Sequence, residues 1–191
     1  IDVLTGFKYI SDQLHQHESL NDKLVLAYEE SHGYLLQDFS RDKDAIQCIP
    51  LLIKYKQLFH QKGTTLFNVL EDIYQQVGRY EDKTLSPKYE GQNGQEKIKT
   101  LMSEFRNFEA STLCGLTLST IEDYQTSTIY HFDTDETTKM NFPVSDVIRF
   151  TFEEGFIAMR PSGTEPKMKI YFSLKVPDFE AIVGEFQETY L

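Results

Sequence analysis

Near its C-terminal end the chain carries three apolar-rich runs joined by short polar connections, and these restrict its fold more than any other feature. Val147-Ile148-Arg149-Phe150-Thr151-Phe152 and Phe156-Ile157-Ala158-Met159 flank Glu153-Glu154-Gly155, a pattern that predicts a β-hairpin turned at that triplet. In the third run, residues 167–174, Met168, Ile170 and Phe172 alternate with Lys167, Lys169 and Tyr171. Period-two alternation puts the apolar residues on one face of a strand and both lysines on the other. Pro177-Asp178 then opens a predicted terminal helix, with Asp178 as N-cap and Phe179, Ile182, Val183 and Phe186 as its apolar stripe.

Upstream, helices and strands alternate. Phe7, Ile10 and Leu14 are spaced for a helix over residues 6–17, and Leu24-Val25-Leu26-Ala27 reads as a short buried strand. Residues 44–61 carry Ile46, Ile49, Leu52, Ile53, Leu58 and Phe59 around much of a helical circumference, which predicts a mostly buried helix. Gly63 is placed to cap it, and Leu66, Val69, Leu70, Ile73 and Val77 mark an amphipathic helix ending near Gly78. Residues 80–89 read as strand, 95–105 as helix and 121–127 as extended. Residues 133–141 are polar without an apolar period and read as a surface loop.

Composition excludes several function classes. The hydrophobic share of 40% is that of an ordinary globular chain, and no run approaches the roughly 20 apolar residues that span a bilayer. A net charge of −11 argues against nucleic acid as a partner. Cys48 and Cys114 stand far apart and form no CxxC pair, which fits a reducing cytoplasm and suggests no metal site. The opening residues read like mid-chain sequence, so the chain is expected to begin inside a larger polypeptide.

Between the second and third runs lies Arg160-Pro161-Ser162-Gly163-Thr164-Glu165-Pro166-Lys167. Gly163 lets the backbone approach a ligand, Ser162 and Thr164 add hydroxyls to backbone N–H groups, and Arg160 offers a planar fork that matches phosphate oxygens. Spacing alone also allows a tight interstrand loop whose Arg160 pairs with Glu165.

The string over residues 160–171, RPSGTEPKMKIY, closely resembles the phosphate-binding loop in the last domain of the α-D-phosphohexomutase family. That resemblance implies phosphate contacts from Arg160, Ser162, Gly163 and Thr164, with Lys169 as a further candidate. Glu29-Glu30-Ser31-His32-Gly33 resembles the sugar-binding loop of the family's third domain, which assigns sugar contacts to Glu29 and Ser31 and adds His32. Read without the family, this is an ordinary polar cluster between a strand and a loop. Arg41-Asp42-Lys43-Asp44-Ala45 resembles the segment where the family sets a basic residue near the ligand, here Lys43; on spacing alone it is equally a salt-bridged helix start with Asp44 as N-cap.

The resemblance spans nearly the whole chain and implies an α/β and α+β protein. Residues 1–62 would be the latter part of a third domain, 63–78 a connecting helix, and 79–191 a C-terminal domain with a small, mainly antiparallel sheet flanked by helices. It implies the substrate-binding part of a phosphoglucomutase-like enzyme that interconverts hexose 1-phosphate and hexose 6-phosphate through a phosphoserine and a bisphosphate intermediate. The family's serine loop and magnesium loop have no counterpart here, so no catalytic residue and no metal ligand is expected in this chain, and the chain alone is expected to be inactive. Mg²⁺, a glucose 1,6-bisphosphate-type intermediate and the remaining N-terminal domains belong to the complete protein. Glucose is the expected sugar and mannose the alternative; a phosphopentomutase and a non-catalytic phosphosugar-binding module are the competing readings.

Overall fold

A computed structural model of the chain describes residues 3–18, 20, 22–29, 33–91, 93–163 and 165–191, and it divides into two units, Ile1–Gln76 and Val77–Leu191. In the first unit the helical spacing of Phe7, Ile10 and Leu14 yields α1 (Phe7–Glu18). Strands β1 (Ala27–Glu29) and β2 (Gly33–Leu35) pair antiparallel, with Glu29 opposite Gly33. Helix α2 (Ala45–Gln61) starts where the Asp44 carboxylate accepts the Ile46 N–H at 2.9 Å. It stops in a Schellman cap: Thr64 N–H reaches Phe59 O at 2.9 Å, Gly63 N–H reaches His60 O at 3.0 Å, and Gly63 takes φ +73°. Helix α3 (Leu66–Val77) follows.

Two expectations for this unit fail. No residue of α2 is buried, and Ile46 and Ile53 are 75% and 61% exposed. The run Leu24-Val25-Leu26-Ala27 is no buried strand: pairing begins only at Ala27, and Val25 is 87% exposed. The reason is geometric. An apolar face is buried only against a second layer, and the one sheet described in this unit is a hairpin of two three-residue strands. Among the described residues of this unit the buried apolar side chains are Leu4, Phe7 and Leu35.

The second unit has a substantial core. Its elements are β3 (Glu81–Leu85), α4 (Gly94–Arg106), β4 (Thr112–Leu113), β5 (Leu116–Asp123), β6 (Thr128–His131), β7 (Glu136–Lys139), β8 (Ile148–Phe152), β9 (Gly155–Pro161), β10 (Met168–Leu174) and α5 (Phe179–Tyr190). The strands form one sheet in the order β3-β10-β9-β8-β5-β6-β7, with β4 beside β5 and every pairing antiparallel. Alternation along β8, β9 and β10 sends Ile148, Phe150, Phe152, Ile157, Met159, Met168, Ile170, Phe172 and Leu174 to one face. There they meet Ile98, Leu101, Met102 and Phe105 of α4 and Phe179, Val183 and Phe186 of α5. Phe105 stacks on Phe186 at 5.8 Å between ring centres, and Phe172 meets Phe186 edge-on at 5.3 Å.

Here too the boundaries shift. Strand β3 ends at Leu85, short of the predicted Tyr89, and the strand expected over residues 121–127 is β5, which ends at Asp123. The polar segment 133–141 contains β7, a strand at the sheet edge with all four residues exposed. With water on both faces, nothing imposes the alternation that marks a strand. Asp178 occupies the N-cap of α5, yet its side chain makes no capping hydrogen bond; its carbonyl takes Ala181 N–H and Ile182 N–H instead.

Candidate functional site

The connection from β9 to β10 brings together most of the anion-suited residues. Arg160 pairs across the strands with Lys169, and both lie on the face opposite the core. The loop is closed from within, because Ser162 N–H donates to Lys167 O and Lys167 N–H to Glu165 O, each at 2.8 Å. The Ser162 amide is therefore occupied by the loop itself. Gly163 is different: among the described residues, its chain neighbours aside, a Cβ there would meet no atom within 4 Å, and its φ is not in the left-handed region. The fold leaves that side of the loop open. Thr164 lies outside the described residues.

Glu165 pairs with Lys167, and the hydrogen bond and charge of that lysine hold its carboxyl below the usual range, with help from Lys88. Arg160 turns elsewhere, so the expected alternative of an Arg160–Glu165 pair is not what forms. Its Nε donates to the Tyr171 hydroxyl at 3.1 Å, and its guanidinium carbon lies 5.9 Å from the Tyr171 ring centre.

Sequence reasoning missed Lys88. A short antiparallel bridge sets Lys88 opposite Lys167, held by Tyr89 N–H to Pro166 O at 2.9 Å and Met168 N–H to Pro87 O at 3.1 Å. Register thus sets Arg160 opposite Lys169 and Lys88 opposite Lys167 at the base of this loop, with Glu165 partnered by Lys167 and Lys88, in a chain whose net charge is −11. A local cluster of this kind attracts an anion despite the field of the whole. Only its long-range register, and no signal near residue 88, links Lys88 to the loop.

In the first unit, Glu29 closes β1 and Lys43 precedes α2. Their side chains meet, Lys43 Nζ lying 3.5 Å from Glu29 Oε1 and 3.4 Å from Asp42 Oδ1. Glu29, chiefly, raises the Lys43 ammonium above its ordinary pKa. Gly33 leaves room for the pairing as it stands: a Cβ there would lie 2.5 Å from Glu29 Oε1 and 2.8 Å from Lys43 Cδ, so both side chains would have to shift. The Glu29 carboxylate is only 11% exposed, so the partner cation offsets part of its burial cost. It also borders an open cavity of about 750 Å³ whose wall includes Thr5, Gly6, Asp38 and Arg41. Ser31 and His32 lie outside the described residues, as does Glu30.

Comparison with known proteins bears on both units. Residues 1–77 match the family model described as phosphoglucomutase/phosphomannomutase, alpha/beta/alpha domain III, and residues 118–178 match the phosphoglucomutase/phosphomannomutase C-terminal domain. A curated phosphoglucomutase of Staphylococcus saprophyticus is 50% identical over 191 residues, covering 100% of this chain and 35% of its own length. The phosphoglucomutase of Staphylococcus aureus strain USA300 is 49% identical over 181 residues, 95% of this chain and 33% of its own. Among solved structures, pp63/parafusin, a phosphoglucomutase from Paramecium in its open form, superposes with a TM-score of 0.57 at 19% identity over 96% of this chain and 32% of that one. At that identity the likeness speaks for the fold alone. The chain spans about a third of the length of the curated relatives it matches.

Proposed function

Because the chain belongs to the phosphoglucomutase/phosphomannomutase family, we propose that it is the substrate-binding C-terminal part of an enzyme that interconverts hexose 1-phosphate and hexose 6-phosphate. The observation that carries this reading is the gathering of Arg160, Lys88, Lys167 and Lys169 at the β9–β10 loop beside a face left open at Gly163. Among the described residues neither Nη group of Arg160 has a hydrogen-bond partner, so the pair can accept a phosphate in the two-pronged geometry guanidinium favours. In this reading Lys169 and the hydroxyls of Ser162 and Thr164 complete the phosphate site. Glu29, Ser31 and His32 address the sugar, and Lys43 balances the Glu29 charge.

Among the described residues no group of three or more His, Cys, Asp or Glu side chains could hold a metal ion. We assign the magnesium used by the family, together with the phosphorylated serine, to residues outside this chain, because the sequence holds no counterpart of either family loop, and no step of the transfer is derived through it. What these residues supply is binding and orientation, the larger share of what a protein contributes to phosphoryl transfer. We assign the remaining domains of the same polypeptide as partners, a reading supported by the exposed apolar face of α2. The free thiols of Cys48 and Cys114 support a cytoplasmic setting, and no helix among the described residues is long and apolar enough to cross a membrane.

Titration calorimetry with glucose 1,6-bisphosphate tests the phosphate site. Arg160→Ala is expected to weaken binding at least tenfold, about 1.4 kcal/mol; equal affinity in the two proteins removes the loop from the reading. Gly163→Ala separates ligand from fold. Alanine meets no described residue beyond its chain neighbours there and restricts the unfolded chain, so stability should hold or rise by about 0.4–1 kcal/mol. Its methyl group stands where the anion approaches, so affinity should fall. A variant that binds as well as the parent excludes Gly163 from the site.

A further inference from the structure

We infer that Tyr171 is a positioning residue for Arg160, holding its guanidinium so that the two Nη groups face the incoming phosphate. The inference rests on the phosphate reading of the β9–β10 loop and concerns how that loop is made ready. Arg160 lies opposite Lys169 in the strand pairing, and Tyr171 lies opposite Ala158. Tyr171 is thus the diagonal neighbour of Arg160 on the same face, within reach of a long side chain. The small Ala158 leaves the space beside Tyr171 into which an arginine can lie back along the sheet.

Two contacts fix the guanidinium there. Nε donates to the Tyr171 hydroxyl at 3.1 Å, and the guanidinium carbon lies 5.9 Å from the ring centre, inside the range of a cation–π contact. The Nε bond carries the specificity. A guanidinium can offer an anion either its Nη–Nη edge or its Nη–Nε edge, and occupying Nε removes the second choice. Freezing a free arginine on binding costs side-chain entropy, so an arginine already held before the ligand arrives binds it more tightly. Tyr171 itself is fixed on its other side by the pairing of β10 with β3, where Thr84 lies opposite it.

Tyr171→Phe keeps the ring and removes only the acceptor, so the sheet is expected to remain intact. Two measurements on the 191-residue chain test the role. The Nε–H signal of Arg160 in a ¹H–¹⁵N spectrum, identified by its loss in Arg160→Lys, should exchange with water about tenfold faster in Tyr171→Phe. In calorimetry, affinity for glucose 1,6-bisphosphate should fall about three- to tenfold. Either readout remaining at the parent value overturns the inference, because positioning requires that both change. Arg160→Ala distinguishes the two levels. If it loses affinity while Tyr171→Phe does not, only the positioning role fails; if neither loses affinity, or the parent itself does not bind, the phosphate reading fails and takes the inference with it.

Discussion

Gly155→Ala is expected to destabilise the Val77–Leu191 unit by about 2–6 kcal/mol, combining a strained backbone with forced overpacking. Gly155 follows the two-residue turn Glu153-Glu154 and pairs with Phe152 as β9 begins. Its φ is +140°, a conformation that side chains rarely adopt, and a Cβ built there would lie 2.1 Å from Ser173 O and 3.2 Å from Leu174 Cα. Those atoms are backbone of β10, a strand bonded to β9 on one side and β3 on the other, so they cannot swing aside as a side chain can. Lys175 N–H to Glu154 O at 2.8 Å pins the turn to the end of the same strand. Against a total stability of about 5–15 kcal/mol for a domain, such a loss is large. Hydrogen exchange read by mass spectrometry over β8, β9 and β10 should show the opening energy reduced. Arg160 lies five residues along the same strand, so phosphate affinity should decline with it. Amide protection within about 0.5 kcal/mol of the parent would mean that the close approach of β10 to Gly155 is not a feature of the molecule.

That contact was only half legible in the sequence. Alternation along Met168, Ile170 and Phe172 declared β10 and its buried face, and Glu153-Glu154-Gly155 declared a turn, because each signal is local. What makes Gly155 obligatory is a carbonyl some eighteen residues away, and no local pattern reports it. The same limit hid Lys88, which reaches the loop only through the Lys88–Lys167 bridge, and the Tyr171–Arg160 contact, which depends on strand register. The loop residues themselves were readable as anion-suited from their side chains, whereas the meeting of Glu29 with Lys43 is a contact between residues fourteen apart that no local pattern reports.

The errors have a shared physical origin in burial. Ile46, Ile49, Leu52 and Ile53 predict a buried helix because hydrophobicity says that a face gains by being covered, but it does not say what covers it. Conversely, Glu136-Thr137-Thr138-Lys139 reads as a loop because an exposed edge strand is held by backbone hydrogen bonds to β6, to which side-chain patterning is blind.

Phe150→Ala should produce a comparable loss by the opposite route, a cavity rather than a clash. Phe150 is 0% exposed in β8, a strand flanked on both sides by β5 and β9, so no edge can move inward to fill the gap. Its ring meets Phe105 at 6.1 Å and Phe108 at 5.4 Å, both edge-on, and removing it strands the quadrupole contacts of both partners along with the buried area. Deleting a buried aromatic ring costs about 3–5 kcal/mol, the larger end applying where neighbours cannot collapse. Phe105 also stacks on Phe186, so the loss should spread to α4 and α5 rather than stay at the sheet. Exchange protection of amides in both helices should therefore fall together with that of β8. Val144→Ala supplies the comparison within the same unit: Val144 is 73% exposed, and its truncation should change stability by no more than about 0.5 kcal/mol. Equal effects from the two substitutions would contradict the placement of Phe150 at the centre of this core.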